Sequence, residues 1–162
     1  MIQYVKGDLF TGVHLRSDPV IIAHIVNNKG GWGKGFVVPL ATKYPAARDR
    51  YREWVKCDED HFPPFSLGYT QFVKINPVTY VANMCAQDGY RKRYSDPPKQ
   101  YVSYYYLGKC LDNVADLAEI LGASVHMPKI GCGLGGGDWK TIEAMVDSFL
   151  CAAGVPVVVY EL

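Results

Sequence analysis

Five glycines stand within seven residues from Gly131 to Gly137, and Asp138 follows them directly. Glycine has no Cβ atom, so its backbone can turn N–H groups toward an anion at close range. A loop of this kind in front of a helix can hold phosphate, because the first N–H groups of a helix also lack partners. The segment therefore predicts a binding site for a ligand that carries phosphate.

A second glycine-rich segment, Gly30 to Gly35, follows the polar pair Asn27 and Asn28. It differs from the phosphate loop of nucleoside triphosphatases, because Gly35 occupies the position where that loop needs Ser or Thr to bind magnesium. The segment argues against a triphosphatase. Together, the two glycine loops predict the two walls of a single cleft.

Four side chains near these loops are candidates for catalysis: His24, Asn28, Gln87 and Asp138. Three of them also have a purely structural interpretation. His24 interrupts an apolar run and suits a buried strand, Gln87 begins a polar surface connection, and Asp138 suits the N-cap of the next helix. The sequence leaves both interpretations open.

The first glycine loop contains a cysteine, Cys132. A cysteine phosphatase needs an arginine six residues after its nucleophile to clamp the phosphoryl group, whereas Asp138 holds that position here. We therefore interpret Cys132 as a small residue that fills a tight turn. The five cysteines and four histidines are scattered without the spacing of a disulfide framework or a zinc site, so we expect no metal.

The composition is typical of one globular domain, which we expect to span residues 1–162. Hydrophobic residues make up 49% of the chain, enough to bury a sizeable core. The formal net charge of +1 does not indicate nucleic acid or a membrane surface as a partner. Met1 leads into a strand-like run without a leader segment, so we expect a cytoplasmic protein. We also expect a monomer.

Hydrophobic periodicity and turn residues predict an α/β fold. The predicted strands are residues 2–6, 19–26, 69–75, 79–85, 124–127 and 155–160. The predicted helices are residues 36–44, 45–56, 101–121 and 138–151. In the third helix we expect the aromatic residues, Tyr105 among them, to lie in the core. Ligands of open α/β sheets bind where the strands end, and both glycine loops follow such strand ends.

Four motifs in this order resemble the macrodomain family, and within it the branch that includes ADP-ribose 1″-phosphate phosphatases and terminal ADP-ribose protein glycohydrolase. They are Tyr4 to Leu9, Ala23 to Gly35, Met127 to Leu134 and Val157 to Leu162. The resemblance implies a three-layer α/β/α domain with a six-stranded mixed sheet. It also implies that ADP-ribose binds in a cleft over the strand ends.

The resemblance assigns the ligand contacts along the cleft. Asp8, beside Leu9, is expected to accept a hydrogen bond from the adenine amino group, and Tyr160 and Leu162 to edge the adenine. Asn27 and Asn28 are expected to hold the distal ribose. The diphosphate is expected to lie between two sets of loop residues: Gly33, Lys34, Gly35 and Phe36 on one side, and Ile130, Gly131, Cys132, Gly133, Leu134 and Gly135 on the other.

The chain departs from the glycohydrolase pattern at two positions. Gly135 stands where the family has a catalytic aspartate, and the region of Ala86 and Gln87 stands where it has an attacking lysine. What the resemblance implies is a hydrolase that activates water without a metal or cofactor. It would free ADP-ribose from acidic side chains of modified proteins or dephosphorylate ADP-ribose 1″-phosphate. The alternative is a non-catalytic module that only binds ADP-ribose.

Overall fold

The computed structural model describes residues 1–162, and its six strands form one sheet in the order β1-β6-β5-β2-β4-β3. The strand β3 is antiparallel to β4, and every other neighbouring pair is parallel. The mixed six-stranded sheet is thus confirmed. The strands are β1 (Ile2–Lys6), β2 (Val20–Asn27), β3 (Thr70–Asn76), β4 (Thr79–Gln87), β5 (Ser124–Met127) and β6 (Val157–Glu161).

The central strand β2 is covered on both faces, as its nearly continuous apolar sequence predicts. Ile21 and Ala23 pack into the larger core cluster, whereas Val20 and Ile22 pack into the second cluster on the other face. Side chains alternate between the faces of a strand, so β2 contributes to both cores. His24 therefore belongs to the same face as Ile22.

Two layers of helices cover the sheet, which confirms the three-layer α/β/α architecture. The larger core lies under α4 (Tyr104–Leu121) and α5 (Trp139–Phe149). The opposite face carries α1 (Leu9–His14), α2 (Val37–Lys43) and α3 (Pro45–Val55). A short 3₁₀ turn (Cys151–Ala153) follows α5. None of the helices combines the length and the hydropathy needed to cross a membrane.

Helix α4 buries one stripe of side chains against the sheet. The buried positions recur at helical spacing: Leu107, Gly108, Cys110, Leu111, Val114, Ala115 and Ala118. Tyr105 lies off this stripe and is 68% exposed, so the prediction that its ring lies in the core was wrong. The helix ends at Gly122, whose left-handed conformation (φ 65°) confirms the predicted glycine C-cap.

The strand directions bring the functional loops to one edge of the sheet. Residues 28–36 follow β2, residues 88–103 follow β4 and residues 128–138 follow β5, and these three strands are parallel. Asp8 follows β1 at the same edge. From β1 to β4 there are four strand spacings of about 4.8 Å, so the edge runs for roughly 19 Å.

Candidate functional site: a cleft between two glycine loops

A cleft with two adjoining chambers lies at this edge of the sheet. The inner chamber has a volume of about 250 Å³ and the outer chamber about 310 Å³. They share four lining residues: Ile25, Lys34, Gln87 and Leu134. The inner chamber is otherwise lined by His24, residues 35–37, residues 128–131, Gly133 and Gly135. Both glycine loops therefore line the cleft, as the sequence predicts.

The backbone amides of the two loops are the main polar groups of the cleft. The amides of residues 33–36 and of residues 131–135 donate to no acceptor in the protein. All of these residues except Cys132 line one or both chambers. Free N–H groups arranged around a concave surface form an anion site, so the cleft suits a phosphate-bearing ligand.

Hydrogen bonds within the loop of residues 131–137 hold it in a compact shape. The amide of Gly137 donates to the carbonyl of Gly131 at 2.7 Å. The carbonyl of Gly135 accepts from the amides of Tyr101 and Val102. Gly136 has φ +71°, and a Cβ atom there would lie 2.4 Å from the carbonyl oxygen of Lys99. A side chain at that position would therefore displace the loop.

Asn27 shapes the other glycine loop from below. Its Oδ1 accepts from the amides of Lys29 and Gly31, each at 3.0 Å, and its Nδ2 donates to the carbonyl of Gly31. Its backbone carbonyl accepts a hydrogen bond from the hydroxyl of Tyr51. The side chain is 8% exposed and is occupied by these contacts. Its expected contact with the distal ribose stays a prediction.

Asn28 joins the loop after β2 to the loop after β4. Its Nδ2 donates to Oδ1 of Asp88 at 3.0 Å, and its Oδ1 accepts from the amide of Gly89 at 2.9 Å. The neighbouring Gln87 donates from Nε2 to the carbonyl of Gly89. Oε1 of Gln87 accepts no hydrogen bond within the protein, and Gln87 lines both chambers. Gln87 can therefore accept a hydrogen bond from a ligand or a water molecule.

His24 forms part of the floor of the inner chamber and is only 2% exposed. Its Nε2 is hydrogen-bonded to Oδ1 of Asn83, and its ring packs edge-on against Trp32. Burial lowers the pKa of His24 to about 4, although the bond to Asn83 acts in the opposite direction. Its Nδ1 has no partner, and no fully buried side-chain nitrogen or oxygen lacks one, so Nδ1 reaches the cleft.

Asp138 caps α5, which supports its structural interpretation. Its Oδ2 accepts from the amide of Thr141 at 3.2 Å and from the Thr141 hydroxyl at 2.9 Å. Its own amide donates to the hydroxyl of Tyr104. Asp138 is exposed and lines neither chamber. A catalytic role for it stays a prediction that this geometry does not favour.

Asp8 makes the same capping contacts at α1. Its Oδ2 accepts from the amide and the hydroxyl of Thr11 at 3.1 and 3.0 Å, while Oδ1 has no partner. Asp8 borders an open depression of about 680 Å³ between α1 and α2, whereas Leu9 is buried in the second core cluster. The rings of Phe10 in this depression and Phe36 in the inner chamber stack at 5.6 Å. The expected adenine site therefore adjoins the cleft.

The other predicted contacts are placed less favourably for a ligand. Tyr160 is 9% exposed, and its hydroxyl is hydrogen-bonded to Nδ1 of His126 at 2.9 Å. Leu162 is fully exposed at the chain end. Burial raises the pKa of the Cys132 thiol, and the charge of Asp138 adds to this effect. Cys132 is thus no activated nucleophile, in agreement with its interpretation as a turn residue.

The charged side chains that line the two chambers are all basic. Four basic residues line the two chambers, and no aspartate or glutamate does: the cations are Lys34, Arg91, Lys92 and Lys129. Lys129 pairs with Glu161 at 2.7 Å. We did not predict the contributions of Trp32, Tyr90, Arg91, Lys92 and Lys129 to the lining. These five residues lie in the loops that follow β2, β4 and β5, and this position in the sequence could have predicted that they line the cleft.

The fold and the cleft together define an α/β domain with an anion site at its strand ends. No family model matches the sequence. Among solved structures, a macrodomain protein from Streptomyces coelicolor has a TM-score of 0.83 and 38% identity, with 100% of this chain and 99% of that chain covered. The chain belongs to the macrodomain family.

Curated relatives have two different names. An ADP-ribose 1″-phosphate phosphatase from Meyerozyma guilliermondii is 31% identical, with 90% of this chain and 91% of that protein covered. A DNA ADP-ribosyl glycohydrolase from Mycobacterium tuberculosis is 28% identical over 161 residues, which cover 99% of this chain and 42% of that longer protein. Both are named as enzymes that act on an ADP-ribose group.

Proposed function

We propose that this macrodomain binds ADP-ribose in the cleft and hydrolyses the bond that attaches a further group to its distal ribose. The adenine lies at Asp8, the diphosphate between the two glycine loops, and the distal ribose near Asn28 and Gln87. The names of the relatives support this proposal, because both activities break a bond at the distal end of an ADP-ribose group. The domain is inferred to act as a cytoplasmic monomer without a cofactor.

The strongest support for this proposal is the set of free backbone amides at residues 33–36 and 131–135. These groups lie on both walls of one cleft whose charged side chains are all cations. A diphosphate between the walls satisfies the amides and is held in place without rearrangement of the protein. Such preorganised donors also stabilise negative charge that develops on a leaving group.

The cleft contains groups that can orient water but no carboxylate base. Oε1 of Gln87 and Nδ1 of the neutral His24 both accept hydrogen bonds, so they can position a water molecule against the distal ribose. Water adds to the anomeric carbon, the bond to the leaving oxygen breaks, and the leaving group departs with the electron pair. The proton released from water passes to solvent. The protein therefore contributes mainly position and electrostatics.

Calorimetry and a release assay test the proposal. ADP-ribose and ADP are expected to bind, and AMP more weakly, because AMP lacks the second phosphate. Absence of binding at about 1 mM ADP-ribose, which corresponds to about −4 kcal/mol, contradicts the proposal. Release is measured on ADP-ribosylated protein, on ADP-ribosylated oligonucleotide and on ADP-ribose 1″-phosphate. These substrates differ only in the group that leaves.

A non-catalytic ADP-ribose reader is the second candidate function. It is favoured by one observation: the catalytic candidates Asn28 and Asp138 are engaged in internal hydrogen bonds. If ADP-ribose binds and none of the three substrates decays at stoichiometric protein, the domain is a reader.

A further inference from the structure

Two tyrosines flank three consecutive basic residues directly after β4. We call residues 90–94, with the sequence Tyr-Arg-Lys-Arg-Tyr, the mouth segment. Tyr90, Arg91 and Lys92 line the outer chamber. The Tyr90 ring packs over Gly31, where an added Cβ atom would lie 2.8 Å from the ring. The mouth segment therefore forms the end of the cleft farthest from Asp8.

The mouth segment presents an aromatic ring beside two cations. Tyr94 is 91% exposed, and its ring centroid lies 6.0 Å from Nζ of Lys34 and 5.5 Å from Cζ of Arg91. Arg91 also donates to the carbonyl oxygens of Arg93 and Tyr94, which holds the segment in a turn. A nearly fully exposed tyrosine ring leaves a wide apolar face in water.

The cations of this region have no carboxylate partners. Arg91, Lys92, Arg93 and Lys34 form none of the ion pairs of the protein. The two nearby acids form no ion pair with these cations: Asp88 accepts from Asn28, and Asp96 accepts from the backbone amide of Arg93. The mouth segment is thus a locally basic surface in a chain whose formal net charge is only +1.

We propose that the mouth segment binds single-stranded nucleic acid and holds the strand to which the ADP-ribose group is attached. The inference rests on the proposed function for the orientation of the substrate, in which the distal ribose lies near Gln87 and the attached strand leaves the cleft beside the mouth segment. Unpaired cations neutralise phosphates, and exposed aromatic rings stack on unpaired bases. An acidic peptide would satisfy the cations but would leave the Tyr94 ring without a partner. A duplex offers no free base for stacking.

Binding of plain oligonucleotides tests the surface independently of ADP-ribose. Fluorescence anisotropy is measured with single-stranded DNA, single-stranded RNA and duplex DNA over a range of salt. We expect either single strand to bind at least about tenfold more tightly than duplex. The slope of log K against log salt should become shallower by about 0.7 for each phosphate contact that a substitution removes.

The test variant R91A/Y94A has a matched control in Y105A/K109A. Tyr105 and Lys109 form a similar exposed cation–π pair on α4, with Nζ 5.1 Å from the ring centroid, away from the cleft. We expect R91A/Y94A to lose at least about tenfold in affinity for the single strand, and the control to match the wild type. Lys92→Glu is a second variant, because Lys92 makes no hydrogen bond that holds the loop. It should weaken binding in the same direction.

ADP-ribose calorimetry on the same proteins separates this inference from the proposed function. If ADP-ribose binds but no single strand does at low salt, the mouth inference is wrong and the proposed function stands. Equal affinity for duplex, or equal losses in the test and control variants, also overturns the inference. If single strands bind through the mouth and ADP-ribose does not bind, the proposed function is wrong. If ADP-ribose is released faster from an ADP-ribosylated acidic peptide than from an ADP-ribosylated oligonucleotide, the inference is overturned and the mouth segment binds protein substrates instead.

Discussion

The Nε2 atom of His24 is hydrogen-bonded to Oδ1 of Asn83 beneath the inner chamber. Nδ2 of Asn83 donates to the backbone carbonyl of Ala47 at 3.2 Å and to Oε1 of Gln71 at 3.0 Å. A backbone carbonyl can only accept, so the orientation of the Asn83 amide is determined. Nε2 of His24 must therefore carry the ring proton, and Nδ1 is left as an acceptor at the cleft.

Replacement of Asn83 by aspartate should change the charge state of His24. A carboxylate beside Nε2 favours the imidazolium form, so the pKa of His24 should rise from about 4 toward its usual range. NMR titration of the ring carbon protons measures this shift. His126 is an internal control, because it is hydrogen-bonded to Ser124 and Tyr160 instead. An unchanged pKa for His24 argues against the assigned contact.

Stability should depend on pH through the two buried histidines. Burial lowers the pKa of both His24 and His126 to about 4, below the usual value of 6.5. Between these values the unfolded chain binds more protons, so stability rises as pH increases from 4 to 6.5 and is lost on acidification. A shift of this size corresponds to about 3 kcal/mol for each histidine.

Urea unfolding at several pH values checks this dependence. His24→Gln should remove roughly half of the rise between pH 4 and 6.5, because His126 contributes the rest. An identical pH dependence in the wild type and the variant shows that His24 is not the group that titrates.

Substitution of the two capping aspartates should have different effects on ADP-ribose binding. Asp8 and Asp138 each accept from the amide and hydroxyl of a threonine three residues later, so alanine at either position should cost about 1 kcal/mol of stability. Only Asp8→Ala should weaken ADP-ribose binding, since Asp8 borders the depression that adjoins the cleft, whereas Asp138 borders neither that depression nor the two chambers. Calorimetry measures both effects. Inosine diphosphate ribose, which lacks the adenine amino group, should bind both variants equally.

A loss of turnover in Asp138→Ala protein that remains folded would restore its catalytic assignment. Asp138→Ser is the companion variant, because serine also caps helices but cannot act as a base. If both variants retain activity, Asp138 acts only as the N-cap of α5.

Alanine at Gly136 should affect both folding and ligand binding. Gly136 and Gly154 both have positive φ angles, +71° and +83°, but only Gly136 has backbone atoms in the space of a new Cβ. Gly154→Ala should cost about 1 kcal/mol through the left-handed conformation alone. Gly136→Ala should cost more and weaken ADP-ribose binding, because the adjacent amides move. Thermal unfolding and calorimetry measure the two effects, and equal results for the two variants contradict this argument.

Local patterns were sufficient for most of the elements and for the walls of the cleft. The alternation in β1, the apolar run of β2 and the cap at Gly122 are set by residues close in sequence, so they could be predicted from the chain. Tyr105 shows the limit of such patterns, because aromatic residues at near-helical spacing can lie just outside the buried stripe. The net charge did not indicate nucleic acid as a partner, but a net charge averages over the whole surface and says nothing about a local group of cations such as the mouth segment.

The sequence by itself determined the family, the order of the strands along the chain and the two glycine loops at strand ends, because these depend on local residue types. The tertiary structure alone decided which side chains line the cleft. Asn83 lies 59 residues from His24, yet it sets the protonated nitrogen of that ring. The mouth segment meets Lys34, in the glycine loop of residues 30–35, only because β4 lies parallel beside β2. These contacts join distant segments, and no local pattern contains them.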